Sequence, residues 1–163
     1  MWSAPAGGRR CADRSRPAAT VLVTTPPTVA PSYHGPMNQE ISPEGIAAPA
    51  ANYAHAVLTT GADRWLHTSG VVPTAPDGTV PAGIEAQAEV MWANVAAMLA
   101  DAEMGPQDVV SVTTYAVVGQ DLSSVMAARD AFLEGRRAAS TLVTVPALAR
   151  PEWLVEVAIV AAR

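Results

Sequence analysis

The chain contains no lysine: all ten of its cationic side chains are arginine. That absence removes Schiff-base catalysis, which needs an amine nucleophile, and a phosphate-binding loop of the Gly-Lys-Ser/Thr type. Cysteine is nearly absent too. The single Cys11 has no partner for an internal disulfide and no histidine beside it, so it is read as incidental. The three histidines, His34, His55 and His67, do not share a Cys/His spacing suited to zinc, and no metal site is expected. No apolar run approaches the roughly 20 residues that span a bilayer, so no membrane partner is expected. A formal charge of -5 provides no basic face for phosphates, which argues against a nucleic-acid partner.

What is present is an apolar chain. Half of its 163 residues are hydrophobic and only 15% are charged, the composition of one core-rich domain with room for a tail. Residues 1–36 differ from the rest. They are rich in Pro, Ala, Thr and Arg, with Asp13 their one acidic residue. Arg9, Arg10, Arg14 and Arg16 make them basic. Ala18–Val23 is too short for a secretory core and the twin Arg9-Arg10 is followed by the same poor segment, whereas an organellar leader suits the arginine-rich, acid-poor composition better. The reading adopted is a disordered tail or an upstream-extended start, dispensable for folding, with residues 37–163 as the domain.

Within that domain, 45–52 reads as an extended arm, Tyr53–Thr60 as a first strand and Trp65–Ser69 as a second. Asp77-Gly78 is a turn signal. Ile84, Ala88, Met91, Trp92, Val95, Leu99 and Ala102 recur at three and four, which predicts a helix over 84–103 with one buried stripe, stopped by Gly105-Pro106. Val109–Val118 alternates with period two and predicts a half-buried strand. Asp121 is placed to cap a second helix running to Leu133. Ser140–Val145 and Trp153–Ala161 are the closing strands. The order β-β-α-β-α-β-β predicts an α+β domain, with helices on one face of a mixed sheet.

Glu156 is the leading catalytic candidate. Alternation in Leu154-Val-Glu-Val-Ala-Ile-Val160 sets it on the face opposite Val155 and Val157, in an apolar strand where a carboxylate is rare. Such a group can hold a water near an iminium carbon, shuttle its proton or donate to leaving ammonia. A solvent-facing or ion-paired glutamate is the plainer alternative. Ser69-Gly70 closes the second strand, and glycine there permits close backbone approach to a ligand. His55 and His67 alternate with apolar neighbours and read as structural.

Taken in order, Tyr53-Ala-His-Ala-Val, Leu66-His-Thr-Ser-Gly-Val-Val-Pro73, the long helix and Leu154-Val-Glu-Val-Ala158 resemble the RidA (YjgF) family of small trimeric proteins that hydrolyse reactive enamines and imines. The resemblance implies a chorismate-mutase-like fold, a homotrimer and a small-molecule ligand in a cleft at each subunit junction. It also implies no cofactor and a cytoplasmic location. It casts Glu156 as the water-positioning glutamate, Ser69 and Gly70 as carboxylate-binding elements, and Tyr53 as the pocket tyrosine. The chain departs from the pattern in three places. Val71 stands where a glutamine is usual, Met126 where an asparagine is usual, and Ser140 where an arginine clamps the substrate carboxylate. A one-residue shift would put Ala139 there instead, and neither Ser140 nor Ala139 can form the bidentate pair of that arginine, so the resemblance implies a substrate less acidic or bulkier than 2-aminoacrylate. Arg136 and Arg137 read as surface charge at a helix end. A ligand-binding trimer that has lost turnover is the rival function.

Overall fold

The computed structural model describes Gly35 and residues 37–163. The expectations for the tail fall almost wholly outside those residues. Among the described residues, six strands and two helices follow one another: β1 (Asn38–Ile41), β2 (Ala56–Thr59), β3 (Trp65–His67), α1 (Ile84–Asp101), β4 (Val109–Val117), α2 (Leu122–Phe132), β5 (Ala139–Val145) and β6 (Val155–Ala162). A single 3-10 turn at Pro106–Asp108 separates α1 from β4. The α+β class and the mixed sheet agree with the sequence reading. The four-stranded sheet has the order β3-β6-β4-β5; β4 and β5 run parallel, and the other neighbours are antiparallel.

Two local expectations change. An extra strand, Asn38–Ile41, precedes the predicted ones and pairs with β2 in a separate ribbon, from Asn38 opposite Thr59 to Ile41 opposite Ala56. The predicted first strand also shortens, so Tyr53 lies in the loop before β2 rather than in the strand. That loop is tied down. Ala54 N–H donates to Ala138 O at 3.0 Å and Ala54 bridges in parallel to Ala139, at the start of β5.

The helix stripe is realised almost as read: Ala88, Met91, Trp92, Val95 and Leu99 are buried, while Ile84 and Ala102 are only partly so. Against them pack Val112, Val155, Val157 and Ile159 from the central strands. Gln87 interrupts the stripe and is 2% exposed. Its amide donates to Pro81 O and Glu152 O, and its carbonyl accepts from Leu154 N–H, at 3.0, 2.8 and 2.8 Å. Every polar atom of the side chain is thus used, as burial requires. The result is a bolt between α1 and the entry to β6. At the second helix, Asp121 accepts from Ser123 N–H at 2.9 Å and from the hydroxyls of Ser123 and Ser124. The Asp77-Gly78 turn forms as read, Asp77 accepting from Thr79 N–H at 2.9 Å with Gly78 at φ 85.

Both helices pack on one sheet face. Burial alternates along β6 and β4, so Val155, Val157, Ile159, Val112, Thr114 and Ala116 face the helices. Glu156, Ala158, Ser111, Thr113 and Tyr115 face the other way, onto a surface that no described residue covers.

Candidate functional site

The uncovered sheet face carries the candidate chemistry. Glu156 is in the middle of the sheet, directly opposite Tyr115 of β4, which in turn pairs with Val143 of β5. Facing residues on adjacent strands are about 5 Å apart, so the tyrosine ring stands beside the carboxylate. Beyond β3 the chain turns back to β6 through Val71: Val71 N–H donates to Val157 O at 2.7 Å, and Val157 N–H donates to Val71 O at 3.0 Å. This ladder sets Gly70 against Glu156. A Cβ added to Gly70 would overlap the Glu156 carboxylate. The glycine permits this approach, because a side chain there would push the carboxylate aside. Glu156 is half-buried and has no hydrogen-bond or ion-pair partner among the described residues. It is an acceptor held in place and left available.

The other predicted residues are distributed unevenly. Ser69 is exposed beside Gly70, and a recess of about 330 Å³ opens on Gly70 between Val72, Asn94 and Met98. Ser140 is on the opposite side of the sheet from Glu156. It pairs with the buried, helix-facing Val112, and its Oγ accepts from Arg129 Nη1 at 3.2 Å. Arg129, 5% exposed on α2, also donates from Nη2 to Asn52 O at 2.9 Å and forms an ion pair with Asp130 at 2.6 Å. Ser140 therefore belongs with the loop that carries Tyr53. Tyr53 itself meets His55 edge to face at 5.8 Å, and His55 Nε2 donates to Ala47 O at 2.8 Å. Met126 is half-buried on α2. His67 stacks with Trp65 at 6.3 Å on the uncovered face. One chain thus joins Glu156 with Gly70, and separately joins Tyr53 with Ser140; it does not unite the two sets.

Tyr115 and Thr141 were missed as candidates. The signal for Tyr115 was its parity with Thr113 in β4, which needed the register with β6 to acquire meaning. Thr141, opposite Thr113, shares the Glu156 face with Ala139, which pairs with Ser111 at the start of β5. No ion pair among the described residues involves Glu156, and the paired arginine side chains hold Glu103, Asp130, Glu40 and Glu152. No group of His, Cys, Asp or Glu among the described residues is placed to hold a metal.

Residues 45–163 match the family described as Endoribonuclease L-PSP. The chain belongs to that family. A solved Rid-family relative of unknown function, YyfB from Yersinia pestis, is 33% identical with a TM-score of 0.71, over 78% of this chain and 99% of that one. The YjgF gene product of E. coli is 28% identical at a TM-score of 0.57, over 77% and 98%. E. coli TdcF, solved with bound serine, shares the fold at 21% identity and a TM-score of 0.58, over 77% and 98%. Among curated proteins, none matches. The resemblance to RidA is borne out at the level of family and fold. No helix among the described residues is long and apolar enough to cross a membrane.

Proposed function

We propose that this Rid-family chain hydrolyses a small enamine or imine, with Glu156 as the group that handles water. Water adds across the carbon–nitrogen double bond, and the products are a carbonyl compound and ammonia. Glu156 accepts a proton as the water oxygen bonds to the imine carbon. It returns that proton to nitrogen and then relays the proton of the new hydroxyl to nitrogen as well, so that the carbon–nitrogen bond breaks, ammonia leaves and the carbonyl forms. The Tyr115 hydroxyl, across the strand pair, orients the water or the nitrogen. The observation that carries the reading is the Glu156 carboxylate laid on Gly70 with no partner among the described residues, on a polar-lined sheet face. The uncovered face itself supports a homotrimer in which a second copy completes the cleft. Trp65 and Val143, 52% and 40% exposed, are apolar surface of the kind that assembly removes from water.

The substrate class follows from what surrounds Glu156. At the usual clamp position Ser140 turns away toward Arg129, and no arginine among the described residues pairs with the Glu156 carboxylate. An imine lacking a carboxylate, or a bulky one, is the preferred substrate. The same observation favours the second reading, a trimer that binds such a metabolite without turnover. An endoribonuclease is disfavoured by the net charge of -5. The test is ammonia release from imines generated in situ by amine oxidases and amino-acid oxidases. Faster release from the carboxylate-free imines supports the proposal. No acceleration over the uncatalysed rate for any imine, with a ligand still bound, supports the binding protein instead.

A further inference from the structure

On the far side of the molecule from Glu156, α1 and α2 leave a groove of about 560 Å³ between them. Trp92 and Phe132 form its floor, stacked at 4.5 Å and 21°. Its walls include alanines, among them Ala127 and Ala131, where longer side chains would close the gap. Its rim carries two carboxylates one helical turn apart on α1, Glu85 and Glu89, and no cationic side chain among the described residues lines it. The Ser124 hydroxyl, which donates to the Asp121 cap, lies 3.0 Å from Glu85 Oε1 at the groove edge. Glu89 has no partner among the described residues.

We propose that this groove binds a small organic ammonium ion with an aromatic or branched apolar body. The volume falls in the range of small-molecule sites, and the groove is open to solvent along its rim. An apolar body removes the aromatic floor and alanine walls from water. The charge at the rim selects the sign of the ligand. Glu85 and Glu89 repel each other at i and i+4, and a cation between them converts that repulsion into attraction. The groove lies on the helix layer, so covering the open sheet face in an oligomer leaves it free. Its occupancy is independent of the hydrolysis proposed at Glu156.

Calorimetric titration of the full chain with phenethylammonium, 2-phenylethanol and 3-phenylpropionate tests the assignment. The cation should bind at least about fivefold more tightly than the alcohol, the size of one or two exposed charge contacts, and the anion more weakly still. Added salt should narrow that gap. Glu89→Gln should weaken the cation about threefold to fivefold and leave the alcohol unchanged, and Ala131→Leu should weaken both. Equal binding of the three probes, no binding at millimolar concentration, or cation binding indifferent to Glu89→Gln would overturn it. So would an oligomeric mass that falls in Ala131→Glu, because the groove would then be filled by another copy of the chain. Glu89 sits on the rim, so its variant stays informative if a wall substitution impairs folding.

Discussion

Glu156, Gly70 and the two β5 positions decide the chemistry one side chain at a time. Glu156→Gln keeps the shape of the acceptor but cannot exchange a proton in the same way. It should lower imine hydrolysis by about 10²- to 10⁴-fold, measured as initial ammonia release. Gly70→Ala should act on the same step from the neighbouring strand. Its methyl overlaps the carboxylate and must displace it, and misplacement of about 1 Å commonly costs on the order of a hundredfold. Introducing the missing clamp is a matter of which face receives it. Ser140→Arg would press a second guanidinium against the buried Arg129, so the melting temperature should fall with no gain in activity. Thr141→Arg starts about 12 Å from Glu156, two strands across and one step along, and on the same face. It should raise activity on imino acids relative to carboxylate-free imines.

Elements were legible where their signals were local. The stripe of α1 and the alternation of β4 and β6 repeat over many residues, and they survived into the fold with small changes at the ends. The strand Asn38–Ile41 was not legible, because its only apolar residue is Ile41 and its partner β2 lies well along the chain. Ser140 was misleading for a related reason. Ala-Ser-Thr-Leu-Val-Thr-Val in β5 has no clean polar alternation, so only the register with β4 reveals which side each residue faces. Gln87 had a local signal of its own, since a glutamine amid apolar residues marks an amide put to structural use. Gln87→Leu should leave Leu154 N–H and two carbonyls without partners. That should cost about 1–3 kcal/mol by denaturant unfolding, and activity should fall with it because β6 carries Glu156. The cap of α2 behaves differently with pH. The hydroxyls of Ser123 and Ser124 hold the Asp121 carboxyl below the usual carboxylate range. A depressed folded-state value contributes stability above the unfolded value, and that contribution is lost as pH falls through the folded one. The melting-temperature gap between the parent and Asp121→Ala should therefore close in strong acid and be widest near neutrality.

At the scale of the whole molecule, the uncovered sheet face predicts assembly. Light scattering should give a mass of about three subunits. Val143→Asp, on the row shared by Glu156 and Tyr115, should reduce that mass and abolish hydrolysis together. A monomeric parent with full activity would separate the site from any interface. The strand order has one more consequence, for synthesis. Of the four strands in the main sheet, β6 is the last to be made, yet it lies between β3 and β4. Until residues 155–162 leave the ribosome, β3 has no neighbour and β4 has only the parallel β5. Both expose strand edges that can recruit other chains. A ribosome that stalls or terminates before Val155 therefore releases a polypeptide whose β3 and β4 edges stay open, and such a chain should aggregate more readily than the full one.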